Sequence, residues 1–196
     1  MRVLVVGTTG IIGGAVTSAL QAKGHDVIGV SRRTQPAVDL DDPSSVKDLY
    51  AAIGPVDAMV CAAGQAKFGP LAQSTDDLFR VGIVNKLMGQ VNLVRFGLEH
   101  AKTFVLTGGL LAHTPWPNTT ALAMVNAGLE GFVRAAAVEL PEHRVLCVCP
   151  PLVRETAQKM GMGDQGAPAA DVAKAYLTAL EGATSGATVF VEGYTP

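Results

Sequence analysis

A chain of 196 residues, 48% hydrophobic and only 16% charged, is long enough to bury one substantial core and falls within the range of one domain. Its formal charge of −2, with Lys and Arg scattered, forms no basic stripe, which argues against nucleic acid or another polyanion as a partner. The first apolar run stops at Gly7, too short for a signal-peptide core, and no later run approaches the ~20 residues that span a bilayer; a cytoplasmic protein with no membrane partner is expected.

Short valine-rich runs recur at 2–6, 26–30, 56–61, 103–106, 144–149 and 188–191. They are nearly continuous in hydrophobicity, as strands buried on both faces are, and helical stripes lie between several of them. Ile12, Val16 and Leu20 mark a helix over 12–22, and Val46, Leu49 and Ile53 mark another over 43–53. A short extra strand fits 37–40, and apolar spacing predicts a long helix over 76–99. The next helix, about 119–140, buries Leu122, Val125, Leu129, Phe132, Val133 and Leu140 after the cap signal Asn118-Thr119-Thr120, and Pro141 ends it. A last helix over 169–181 precedes a Gly-containing turn. The stretch KMGMGDQGAP, 159–168, reads equally as a mobile lid or as an ordinary surface connection. Cys147 and Cys149 share one face of a strand, poor geometry for bridging each other. With Cys61 they read as buried reduced thiols, not as a metal site.

The first strand runs into Val6-Gly7-Thr8-Thr9-Gly10-Ile11-Ile12-Gly13, where the first helix begins. Glycines between strand and helix permit a tight turn, close approach of backbone to a pyrophosphate and tight helix packing, with helix N–H groups and the dipole facing the anion. The second strand ends in Ser31-Arg32-Arg33, without the carboxylate that would grip an NAD ribose diol. Guanidinium forks suit a 2'-phosphate, so NADP (NADPH) is the expected cofactor; the alternative is two solvated loop charges. These features predict an α/β chain forming a single domain over residues 1–196. It should be a Rossmann-type, doubly wound sheet of about seven parallel strands in the order 3-2-1-4-5-6-7, with helices on both faces and the short strand counted third.

At this point the chain resembles the short-chain dehydrogenase/reductase family over essentially its whole length. The spacing of Gly7, Gly10 and Gly13 is similar to that of its extended and atypical members. Asp39-Leu40 resembles the acidic pair beside the adenine, and Cys61-Ala62-Ala63-Gly64 resembles an Asn-Asn-Ala-Gly turn with both Asn replaced. Asn85 falls where the family keeps a structural and catalytic Asn. Leu129 to Phe132 and Arg134 to Leu140 resemble the family's segment just after the catalytic lysine, and Pro150-Pro151-Leu152-Val153 with Thr156 resembles the segment that holds the nicotinamide carboxamide. The resemblance implies cofactor contacts from Gly7, Thr9, Gly10, Ile11, Ile12, Gly13, Ser31, Arg32, Arg33, Asp39, Leu40, Ala62, Ala63, Gly64, Asn126, Pro150, Val153 and Thr156.

The family's Tyr and Lys positions fall here on Leu122 and Asn126, and its Ser falls on Gly108 or Gly109. Packing explains Leu122 as part of the helix's apolar stripe, whereas Asn126 retains donors and acceptors for a ribose hydroxyl. A substitute acid is sought on the loop His113 to Asn118, with His113 the candidate and Trp116 a wall for substrate; Thr107 and Glu155 are weaker choices, Glu155 fitting better as a helix-start or surface charge. Asn85, Asn126, His113 and Thr107 are therefore the candidate catalytic residues. Three functions are compatible with this pattern: an NADP-dependent oxidoreductase with a non-standard proton source, a catalytically silent NADP(H)-binding sensor, or a non-redox enzyme reusing the fold. The short segment from Pro151 to Pro168 favours a small or partly exposed substrate. The resemblance implies a homodimer or homotetramer through the two long central helices, with Ala135, Ala136 and Ala137 permitting close approach.

Overall fold

The computed structural model describes residues 1–196. Strands β1 (Arg2–Val6), β2 (Asp26–Val30), β3 (Ala58–Cys61), β4 (Thr103–Thr107), β5 (Arg144–Cys149) and β6 (Thr188–Phe190) form one sheet in the order β2-β1-β3-β4-β5-β6. Every pairing is parallel. Helices α1 (Ile11–Ala22), α2 (Pro43–Ile53), α3 (Asp76–Val81), α4 (Gly89–Gly97), α5 (Thr120–Glu139), α6 (Arg154–Lys159) and α7 (Ala169–Glu181) provide the connections.

Side-chain alternation along each strand divides the core into two layers. Leu4 and Val6 of β1 meet Leu49, Tyr50, Leu93 and Leu129 on the side of α2, α4 and α5. Val3 and Val5 meet Val16, Leu20, Val172 and Tyr176 on the side of α1 and α7. Both faces of the sheet are thus dry, which is why its strands carry so few polar residues.

Two elements differ from the sequence expectation. Residues 37–40 are not a seventh strand: Ser31 and Ala37 form only an isolated bridge. The Thr34 hydroxyl reaches the carbonyls of Ser31 and Pro36 (3.0 and 2.8 Å), closing a turn where a strand would have to extend. Without that strand, the expected order becomes the observed one. The helix expected over 76–99 is interrupted: α3 passes into a π-helical turn, Gly82–Met88, before α4 resumes. Such wide turns are rare and concentrate at functional sites.

Helix α5, 20 residues with a mean hydropathy of 1.3 over its most apolar stretch, is by length and composition long enough to cross a bilayer, although no uninterrupted apolar run marks it in the sequence. It serves as a core helix, laying Leu129 and Val133 against β4 and β5. The glycine-rich segment 159–168 is pinned at its far end, where Ala167 donates to Leu152 O (2.9 Å) and accepts from Arg154 N (2.8 Å). Glu155 accepts from Ala169 N at the start of α7, the first of the two roles read for it. Cys147 and Cys149 lie side by side on one face of β5 with sulfurs 3.8 Å apart and unbridged, and Cys61 is also free.

Candidate functional site

The turn between β1 and α1 shows why its glycines cannot be larger. Gly7 sits at φ +95°, and a Cβ there would stand 2.8 Å from Ala62 O; a Cβ on Gly13 would overlap the Gly7 carbonyl. Helix α1 therefore rests directly on the turn. It begins with no side-chain cap and no acidic residue in its first turn, so its N-terminal dipole faces the cleft uncompensated.

That turn opens onto a lobe of about 480 Å³ that also receives Thr9, Gly10, Ser31, Arg32, Arg33, Asp39, Leu40 and Asn85. Arg32 and Arg33 are exposed at its mouth, and no carboxylate pairs with either, although Arg33 reaches Thr9 Oγ1 at 3.5 Å. The Ser31 hydroxyl accepts from Arg33 N (3.1 Å), fixing the order Ser-Arg-Arg around the rim. Asn85 spends its amide on structure: its oxygen accepts from Gln65 N (2.7 Å) and its nitrogen donates to Asp41 (2.9 Å), holding the Ala62–Gln65 loop against the π-helical turn.

A second lobe, about 390 Å³, shares Ala62, Ala63 and Gly64 with the first, so one cleft runs across the carboxyl ends of the parallel strands. Ile12, Thr107, Leu122, Asn126, Pro150, Val153 and Thr156 all line it. Leu122 is thus a cleft wall, more than the packing residue its helical stripe suggested. Asn126 is 1% exposed, and its Oδ1 is buried with no hydrogen-bond partner, an arrangement that costs free energy unless a ligand donates to it. Neither glycine after β4 has room for a serine: a Cβ on Gly108 would stand 2.8 Å from Cys149 Sγ, and one on Gly109 2.7 Å from Asn126 Nδ2.

The other candidates are committed elsewhere. Ile11 packs against the α1–α7 layer and does not line the cleft. Thr107 is 7% exposed, donates its one proton to Cys61 O and receives the Tyr176 hydroxyl, so no proton is left over for chemistry. His113 does not line either lobe. Its Nε2 pairs with the Glu130 carboxylate at 2.9 Å, its ring meets Phe190 edge-on, and Glu130 is further held by Thr188 and Cys149.

One residue of the cleft escaped the sequence reading. Lys86, in the π-helical turn, extends beneath Gly64, where a Cβ would come within 2.8 Å of Lys86 Cγ, and its Nζ donates to Gly108 O at 2.9 Å. It is the only charged side chain lining the second lobe. Burial depresses its ammonium to about 8, a shift that the three neighbouring thiols only partly offset. In the sequence it reads as one more helix lysine; the turn that aims it inward left no signal.

A glycine cradle at one end and an unpaired acceptor at the other define a Rossmann domain fitted to a dinucleotide. Residues 3–134 match the model of the NAD dependent epimerase/dehydratase family, and the chain belongs to that family. It is a compact member of short-chain dehydrogenase/reductase type. It is 32% identical over 119 residues to a human epimerase family protein and 27% identical over 172 residues to a short chain dehydrogenase of Pseudocercospora fijiensis. Those alignments cover 59% and 73% of this chain but only 39% and 56% of the two relatives. A Listeria innocua protein of known structure superposes with a TM-score of 0.92 at 34% identity, covering 97% of this chain and 99% of that one. A small-chain dehydrogenase solved in complex with NADPH superposes with a TM-score of 0.87 at 25% identity, covering 98% and 97%.

Proposed function

We propose that this protein is an NADP(H)-dependent oxidoreductase acting on a small carbonyl compound, with a proton source other than tyrosine. The observation that carries this reading is the pair Arg32 and Arg33, exposed and without carboxylate partners at the mouth of a glycine-lined cleft. A free guanidinium there has a 2'-phosphate as its natural partner, and it is not the carboxylate acceptor that grips a ribose diol. The NADPH-bound relative supports the same cofactor.

In this reading the α1 N-terminus holds the pyrophosphate, Asp39 and Leu40 wall the adenine, and Asn126 Oδ1 accepts from a ribose hydroxyl. Pro150, Val153 and Thr156 flank the carboxamide. A reduced nicotinamide held there supplies hydride. The chain's own contribution is to orient the two reactants, and orientation alone can supply more rate than a general acid.

Titration with NADPH and NADH, read from the single tryptophan, Trp116, which lines the second lobe, and checked by calorimetry, tests the cofactor. The expected result is a preference for NADPH of at least about tenfold, or 1.4 kcal/mol, lost in Arg33→Ala through weaker NADPH binding with NADH affinity unchanged. Equal affinities would end the phosphate reading. A second function, a catalytically silent NADP(H)-binding regulator, is favoured by Leu122 and Asn126 alone. NADPH binding without oxidation by any carbonyl would decide for it.

A further inference from the structure

Lys86 reaches the second lobe from the π-helical turn. The second lobe is walled by Phe68, Leu110, Trp116, Leu122, Met160 and other apolar groups, and its polar side chains are few. Thr107 is locked between Cys61 O and Tyr176. Thr119 closes a turn on Trp116, receiving its N–H and donating to its carbonyl. Asn126 cannot release a proton near neutral pH. Lys86 is the one titratable side chain in the lobe, and of its three N–H bonds only one is accounted for, by Gly108 O.

The surroundings of Nζ explain how it could give up a proton. The titratable groups facing it are thiols: Cys61 of β3, and Cys147 and Cys149 of β5. Burial pushes Cys61 up to about 12, and the Cys147 contact together with burial also raises Cys149, so these thiols resist ionising and offset the desolvation of the ammonium only in part. Glu130, the nearest carboxylate to those thiols, lies behind Cys149 and is held there by His113 and Thr188. Desolvation, with no carboxylate beside it, leaves the ammonium a better acid than a surface lysine, near the pH at which a general acid works well.

The fold also holds the side chain in place. Gln90, one turn after Lys86 and fully buried, receives Thr107 N (2.8 Å) at its oxygen and donates to Thr107 O (3.0 Å) from its nitrogen. That clamp fixes the end of β4, and with it Gly108 O, against the helix that carries Lys86. Gly64, at φ +144°, leaves the channel through which the lysine stem passes.

We infer that Lys86 is the proton donor of this site, delivering a proton from Nζ to the carbonyl oxygen of an uncharged, apolar aldehyde or ketone. As the carbonyl carbon accepts hydride from the reduced nicotinamide, the C=O π pair moves to oxygen and closes on the Nζ proton. An alcohol forms, and the neutral amine of Lys86 is recharged from water. The apolar lobe sets the substrate class, because a charged substrate would be desolvated there with only a cation to meet it. This inference rests on the oxidoreductase reading of the cleft.

The test compares wild type, Lys86→Met and Lys86→Arg. NADPH affinity is measured by calorimetry, NADPH consumption with benzaldehyde, octanal and acetophenone, and the Lys86 titration by NMR of 13C-lysine-labelled protein saturated with NADP. Expected are a Lys86 ammonium that titrates near 8, and wild-type kcat/KM that falls above that pH. Turnover should drop by about 10²- to 10⁴-fold in both variants, with NADPH affinity within a few-fold of wild type. Arginine keeps the charge but does not deprotonate in proteins, so Lys86→Arg separates proton donation from electrostatic positioning and guards against a misfolded Met variant. Undiminished turnover in Lys86→Arg, a loss matched by lost NADPH affinity, or a lysine titrating at its ordinary value would each overturn the role of Lys86 while leaving the oxidoreductase reading intact. If wild type binds NADPH but reduces none of the carbonyls, the oxidoreductase reading falls, and the proton-donor role falls with it.

Discussion

Lys86 should also register in stability, independently of any substrate. Its folded value of about 8 lies below the ordinary lysine value of 10.5, so between those pH values the unfolded chain holds a proton that the folded chain lacks. Unfolding free energy then rises with pH across that window. Buried Cys61, Cys149, Tyr50 and Tyr176 act in the opposite sense: their folded values are raised, so stability is lost once the unfolded thiols and phenols ionise, above about 9 and 10. The wild-type rise therefore stands clear only from about pH 8 to 9, but the difference between wild type and Lys86→Met in urea unfolding isolates it throughout. The unfolding free energy of wild type minus that of Lys86→Met should rise with pH between about 8 and 10.5; parallel profiles would mean an unperturbed lysine. At this scale the sequence was legible where backbone dictates residue type and opaque where register does. Gly7 and Gly13 announced a turn that no Cβ can enter, and Arg32 and Arg33 announced themselves by their place directly after a strand end. His113 had a suitable intrinsic pKa but lies outside the cleft, paired with Glu130, and nothing in a linear string shows that pairing.

The element that decides most about the site is the π-helical turn, Gly82–Met88, with the first turn of α4 behind it. Apolar spacing over 76–99 correctly marked a helix there, because helical periodicity survives one wide turn, but it carried no sign of the extra residue per turn. That widened turn places Asn85 on the first lobe and Lys86 on the second. Its anchor is the clamp that Gln90, which itself lines neither lobe, places on the Thr107 backbone. Gln90→Leu keeps the volume but leaves the buried N–H and C=O of Thr107 unpaired, each costing about 1–3 kcal/mol. A drop in Tm of roughly 2–4 °C per kcal/mol is expected for a chain of this size. NADPH affinity should fall less than turnover, since the phosphate-binding end is remote from the clamp. Unchanged Tm and turnover would show that β4 keeps its place without Gln90. The strand at 37–40 failed for a related reason: Val38 and Leu40 are buried like strand residues, but the Thr34 hydroxyl had already turned the chain.

For the whole molecule, the doubly wound architecture was the most legible feature, because continuous valine runs separated by helical stripes admit few other arrangements. What the sequence could not settle is which helix faces remain uncovered. Of Ala135, Ala136 and Ala137, expected to admit a second copy, Ala136 is turned into the core and only Ala135 is exposed. The exposed stripe of α5 runs instead through Met124, Ala127, Ala135 and Val138, with Gly131 opening on empty space between them. Val138 is 83% exposed, an unusual placement for a β-branched apolar residue. Beside α5 lies the π-helical turn, which exposes Ile83, Val84 and Met88. Small residues flanked by large apolar ones at helical spacing suit a close, two-fold helix contact, in which each copy presents the same patch. Light scattering at micromolar concentration should therefore give two or four times the chain mass of 20.2 kDa. Ala135→Arg, which places a long charged side chain within the stripe and touches nothing in the cleft, should return the monomer mass with NADPH affinity retained. A wild-type monomer would leave the stripe without a partner. An Ala135→Arg oligomer would move the contact to another face.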